Sequence, residues 1–237
     1  MEDLKDRVSL EDRLNAAAMS GMTAAVWAEV KPDAVFVHDP SGATHTWGKV
    51  NAQANRIVRL LRQHGLKAGD AVALVCSNRA EFVEVLAACQ RGGWRITPVN
   101  WHLTADEIAY VINDCEAKAV FCEARVAASA AAVAQCPNLA LKVAIGGPIP
   151  GFLDYGAALA PLDGSDIDDP VLGNQMMYTS GTTGRPKGVY RPQPVIPPPG
   201  LYATRGDDHA TSVQLCAGPA YHAAPLAFDV RGAMGAG

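Results

Sequence analysis

Ala71-Val72-Ala73-Leu74-Val75-Cys76 and Arg95-Ile96-Thr97-Pro98-Val99 are apolar runs of strand length, and the segment between them, from about Arg79 to Arg91, reads as a helix. The rhythm then repeats. A helix is expected near Ala105 to Asp114, a strand over Lys118 to Cys122, an alanine-rich helix near Glu123 to Gln135, and an apolar strand over Leu141 to Ile145. Strands alternating with helices imply a parallel sheet with right-handed crossovers and helices on both faces, so the fold class is α/β. In such sheets ligands collect beyond the carboxyl ends of the strands.

Toward the N-terminus the pattern changes. Leu10 to Val30 carries apolar positions at helical spacing, ended by Lys31-Pro32-Asp33 because proline disfavours helix in the residue before it. Ala34 to His38 and Ala43 to Trp47 then read as a hairpin around Asp39-Pro40-Ser41-Gly42. Val50, Ala54, Ile57, Leu60 and Leu61 form an apolar helical stripe that closes at Gly65. Residues 1–65 are thus expected as helix, hairpin and helix, and residues 71–190 as the strand–helix repeats. The acidic connector Asp163-Gly164-Ser165-Asp166-Ile167-Asp168-Asp169-Pro170 fails the calcium-loop spacing and reads as a solvated linker.

Composition narrows the class. The chain has 237 residues, is 49% hydrophobic and 19% charged, and carries a net charge of -4, which is the make-up of a globular protein. The charges are interspersed without a basic stripe, so neither nucleic acid nor an anionic membrane surface is an expected partner. No stretch approaches the roughly 18 apolar residues of a membrane span, and the charged start leads into no signal-peptide core, so a cytoplasmic location is expected. Cys76, Cys89, Cys115, Cys122, Cys136 and Cys216 form no C-x-x-C pair and have no clustered histidines beside them. They read as reduced, buried thiols, and no metal site is expected.

Gln175-Met176-Met177-Tyr178 reads as a strand that empties into Thr179-Ser180-Gly181-Thr182-Thr183-Gly184-Arg185-Pro186-Lys187-Gly188. Glycines let backbone amides turn toward an anion, hydroxyls add donors, and Lys187 supplies a compact positive charge for phosphate oxygens. A Walker A loop would end in Gly-Lys-Ser/Thr, whereas Lys187 stands between Pro186 and Gly188. A bland alternative is a polar surface hairpin rich in turn residues.

The run Tyr178 to Gly188 resembles the signature of the adenylate-forming superfamily: acyl-CoA synthetases, firefly-type luciferases and the adenylation domains of peptide synthetases. Pro219-Ala220-Tyr221-His222-Ala223-Ala224-Pro225-Leu226 is similar to the aromatic-histidine segment of fatty acyl-CoA synthetases. On its own, such a histidine is more often a helix-start residue than a ligand. The resemblance implies that Thr179, Ser180, Gly181, Thr182, Thr183, Gly184 and Lys187 grip the β- and γ-phosphates of ATP, and that His222 borders the acyl pocket. It implies ATP, Mg2+ and coenzyme A as reaction partners and a fatty or related carboxylic acid as substrate.

The family places an aromatic-Gly-x-Thr-Glu motif and a Thr-Gly-Asp motif well downstream of the histidine segment, then a mobile C-terminal domain with a further lysine. None of these occurs in this sequence. The resemblance therefore implies an incomplete N-terminal AMP-binding domain over residues 1–237, inactive alone and lacking the lid domain. Its apolar faces near Val35 and Ile57 would then be short of partners, and association with a chain supplying the missing half is expected. Two alternatives stand beside this one: a non-catalytic nucleotide-binding module, and an interaction protein that uses Arg191-Pro192-Gln193-Pro194-Val195-Ile196-Pro197-Pro198-Pro199-Gly200 as an extended proline ligand.

Overall fold

Central strands that are apolar on both faces decide how the layers stack. The computed structural model describes residues 8–179, 185–194 and 212–237. In chain order these form α1 (Leu10–Ala18), α2 (Thr23–Val30), β1 (Val35–His38), β2 (Thr44–Thr46), α3 (Trp47–Gln63), β3 (Ala71–Val75), α4 (Ala80–Gly92), β4 (Arg95–Val99) and α5 (Ala105–Asp114). There follow β5 (Ala117–Glu123), α6 (Ser129–Val133), β6 (Leu141–Ile145), β7 (Leu153–Asp154), α7 (Tyr155–Leu159), β8 (Asn174–Gln175), β9 (Met177–Thr179) and β10 (Lys187–Val189). A π-helical stretch over Pro225–Val230 then runs into α8 (Arg231–Ala236).

Six strands make one sheet in the order β7-β6-β5-β3-β4-β8, with every neighbouring pair parallel. Along β3 and β5, Val72, Leu74, Ala119 and Phe121 enter one core with α2, α3, α4 and α7. The intervening Ala73, Val75, Val120 and Cys122 enter a second core with α5 and α6. The period of two thus sends alternate side chains to opposite faces, and helices cover both. Phe82, Phe121, Ile57, Leu74 and Leu86 are fully buried, each worth about 1.5–3 kcal/mol relative to exposure.

The chain steps from β3 to β4 and then crosses back to β5, β6 and β7. Its direction therefore reverses between β3 and β5. That reversal marks the crevice in which open parallel sheets bind ligands, just beyond the carboxyl ends of the two strands.

Several expectations are corrected. The first helix is two helices, broken where Gly21 has φ +74° and its backbone lies so near α4 that a Cβ would stand 2.3 Å from the Gln90 carbonyl oxygen. The alanine-rich helix shrinks to Ser129–Val133 because β5 runs on through Glu123, and Ala124 N–H still donates to Ile145 O (2.9 Å). The apolar stripe at Ile57 has its partners inside the chain: Ile57 is fully buried in the first core, while Val35 remains 45% exposed.

The acidic connector is docked on α3 rather than free in solvent. Arg59 donates to Ser165 O (2.8 Å) and Arg62 to Asp169 Oδ1 (2.9 Å), while Asp166 Oδ1 accepts from the carboxamides of Asn51 (2.8 Å) and Asn55 (2.9 Å). The Oδ1 atoms of those two asparagines accept from the fully buried Arg91 guanidinium of α4, at 2.6 Å each. Each asparagine thus faces a cation with its oxygen and an anion with its nitrogen, and together they tie α3, α4 and the connector that leads to β8.

Candidate functional site

The strand expected over Gln175 to Tyr178 is two strands. β8 pairs with the start of β4, Met176 N–H donates to Ile96 O (2.9 Å), and the chain then leaves the sheet to form the antiparallel hairpin β9–β10. The register is Thr179↔Lys187, Tyr178↔Gly188 and Met177↔Val189. Thr179 and Lys187 therefore face each other where the hairpin opens into its loop, and the Thr179 hydroxyl lies 3.5 Å from the Lys187 carbonyl oxygen. Both residues are exposed. Ser180, Gly181, Thr182, Thr183 and Gly184 lie outside the described residues.

The hairpin is held against α5. Tyr178 Oη donates to Asp114 Oδ2, and Arg185 stacks over the Tyr110 ring at 5.4 Å. Burial, reinforced by the Asp114 carboxylate, pushes the Tyr178 phenol well above its usual range, so it stays a donor. At Gly188 the packing is close: a Cβ there would stand 2.2 Å from Met176 Cε, the movable end of that side chain, and 3.0 Å from the Tyr178 ring.

The crevice between β3 and β5 holds a second polar cluster. Ser77 N–H donates to Glu123 Oε2 (2.9 Å), Arg79 pairs with Glu81 (2.6 Å) and reaches Glu123 (3.3 Å), and Arg125 pairs with Glu123 (2.6 Å). Burial works to raise the Glu123 carboxyl, but the Ser77 donors and the two arginines outweigh it, and the group titrates below its ordinary value. Trp101 and His102, beyond the end of β4, stack at 3.5 Å, and the Arg125 guanidinium lies 5.0 Å from the Trp101 ring.

The histidine segment docks at this same end of the sheet. Asn78, in the turn after β3, donates to Gly218 O (2.8 Å), and its Oδ1 accepts from Ala220 N–H (2.8 Å). Ala220 and Tyr221 are buried while His222 is exposed, its ring 4.6 Å from that of Tyr221. His222 N–H donates to Pro219 O (2.9 Å) and its carbonyl accepts from Leu226 N–H (3.0 Å), so the residue sits at the turn that starts the final helix.

Of the residues singled out from sequence, Thr179 and Lys187 are brought together, and His222 stands on a different part of the scaffold. Among the described residues no hydrogen bond or ion pair joins His222 to either of them. Sequence reading passed over Asn78, Arg79 and Glu123. Their signal was position: each follows or ends a strand beside the point where the sheet reverses direction. Arg191 to Pro194 adopt neither helix nor strand, and the remainder of the proline run lies outside the described residues.

A family model described as "AMP-binding enzyme" matches residues 24–237. The chain belongs to this AMP-binding family. It is 32% identical over 149 residues to a fatty acid–[acyl-carrier-protein] ligase of Streptomyces coeruleorubidus, covering 62% of this chain and 28% of that relative. It is 29% identical over 203 residues to a long-chain-fatty-acid–CoA ligase of Mycobacterium tuberculosis, covering 84% of this chain and 40% of the relative. The chain thus spans less than half the length of these curated relatives. In fold it is similar to a fatty acyl CoA synthetase of Mycobacterium tuberculosis, with a TM-score of 0.72, 22% identity, and coverage of 93% of this chain and 44% of that one. The six-stranded parallel sheet with its two helical faces is therefore an adenylate-forming fold, as the signature implies.

Proposed function

We propose that this AMP-binding chain contributes the polyphosphate grip and part of the acyl pocket of an ATP-dependent acid–thiol ligase acting on a fatty or related carboxylic acid. In the first half-reaction the substrate carboxylate attacks the α-phosphorus of ATP and pyrophosphate leaves. A thiol, that of coenzyme A, then attacks the acyl carbon of the mixed anhydride and AMP departs. Both partners in the first step are anions, so the site has to neutralise charge and hold the two in line.

Lys187 and Thr179, with Ser180, Gly181, Thr182, Thr183 and Gly184 in the loop between them, would hold the β- and γ-phosphates, with Mg2+ supplying further charge. His222 would border the acyl group. Residues 1–65, 71–190 and 191–237 are read as consecutive parts of one AMP-binding unit. The reading favours the cytoplasm, where ATP and reduced thiols coexist, and all six cysteines are unpaired. Among the described residues no helix is long and apolar enough to cross a membrane.

The observation that carries this reading is the Thr179↔Lys187 pair at the mouth of the signature loop. Its experiment is ATP–pyrophosphate exchange with Mg2+ and a panel of fatty acids, comparing the chain with Lys187→Ala. Acid-dependent exchange that collapses in the variant supports the ligase reading. Exchange indifferent to Lys187, or ATP binding that Lys187→Ala leaves unchanged, counts against it.

A further inference from the structure

We propose that Asn78 is a positioning residue for His222, clamping the histidine segment to the end of β3 through both ends of one carboxamide. The proposal rests on the reading of His222 given above. Asn78 Nδ2 donates to Gly218 O and Oδ1 accepts from Ala220 N–H, each at 2.8 Å, with Cys216 Sγ at 3.5 Å from the same nitrogen. These bonds span the two residues on either side of Pro219, the residue whose carbonyl accepts the His222 amide.

Asn78 is itself immobilised. Ser77 N–H is bound by Glu123, Arg79 by Glu81 and Glu123, and Ala80 N–H by Asp39 Oδ2 of the β1–β2 turn (3.1 Å). The histidine segment is therefore referenced to β3, β5 and the first hairpin at once. The helix that follows opens with six residues of π-helix, a form concentrated at functional sites. A carboxamide is the side chain this clamp needs, since a carboxylate has no N–H for Gly218 O and an aliphatic residue serves neither bond.

The experiment measures amide hydrogen exchange and ATP–pyrophosphate exchange in the unsubstituted chain, Asn78→Ala, Asn78→Asp, His222→Ala and the Asn78→Ala/His222→Ala double variant. In Asn78→Ala, the Ala220 and His222 amides should exchange about tenfold faster or more, as expected for losing one or two half-buried hydrogen bonds, while those of Val72 and Leu74 keep their protection. Asn78→Asp should free the Gly218 end and show the same direction of change. The half-saturating acid concentration should rise about tenfold in Asn78→Ala with that of ATP unchanged, and Asn78→Ala should add nothing once His222 is gone. Unchanged protection at Ala220, or penalties that multiply in the double variant, overturns the proposal. Exchange left unaltered by His222→Ala counts against the proposed function instead, and the Ala220 and His222 amides still decide the clamp.

Discussion

Replacing Arg91 tests the network that binds α3, α4 and the connector into one body. Its guanidinium is fully buried and donates two 2.6 Å bonds, to Asn51 and Asn55. Burial pulls its pKa down to about 10, opposed by Asp166, a displacement worth about 3 kcal/mol against the charged form. The two bonds to a charged donor return about 1.5–3 kcal/mol each, but Nε and Nη2 are buried without a partner, so the native arrangement sits near balance. Arg91→Ala removes both bonds, strands two buried carbonyl oxygens and opens a cavity, and it should cost about 3–5 kcal/mol. Arg91→Met loses the same bonds and is relieved of the same burial penalty but keeps most of the volume, so it should cost at least about 1 kcal/mol less than Arg91→Ala. The assay is urea unfolding at neutral pH, with equal m values confirming a common unfolded state. Equal costs for the two variants, or a cost under about 1 kcal/mol for Arg91→Ala, would refute the reasoning.

Three further outcomes follow from single contacts. Glu123 is held below its ordinary value of 4.5, so it contributes stability above that pH and loses it as pH falls through the lower folded value. The urea-measured cost of Glu123→Gln should therefore be about 1–3 kcal/mol at neutral pH and shrink as pH falls below 4.5 and through the lower folded value. Gly21→Ala forces a Cβ to 2.3 Å from the Gln90 carbonyl oxygen at φ +74°; a loss of more than about 2 kcal/mol in thermal or urea unfolding is expected. Tyr155→Phe takes from the buried Glu84 carboxylate the Tyr155 hydroxyl it accepts from, leaving His45 at 3.7 Å. Its urea midpoint should fall by the equivalent of about 1–3 kcal/mol with m unchanged.

Residues 95–145 were legible where local signals agreed. β4, α5 and β6 run over Arg95–Val99, Ala105–Asp114 and Leu141–Ile145, as the apolar runs indicate. α5 is further fixed by the Thr104–Glu107 capping box, a purely local device. What escaped depends on partners far along the chain. Met177 to Thr179 look like a continuation of β8, and only pairing with Lys187 to Val189 draws them out of the sheet. The connector reads as solvated because its anchors, Arg59, Arg62, Asn51 and Asn55, lie more than a hundred residues upstream. β7 and α7 are too short to carry a period. At the candidate site, Lys187 and Thr179 stand out in the signature, whereas Asn78 and Glu123 show themselves only once strand order places the turn after β3 beside the end of β5.

The measurement that bears most directly on this account is equilibrium binding of ATP with Mg2+ by calorimetry, to the chain and to Lys187→Ala, with folding of both checked by circular dichroism. Lys187 is exposed on a short hairpin, so its loss should leave the fold intact. The account predicts measurable binding that weakens about 10- to 100-fold in the variant, as expected for losing one charge-assisted phosphate contact. Binding of equal strength in the two proteins would contradict it.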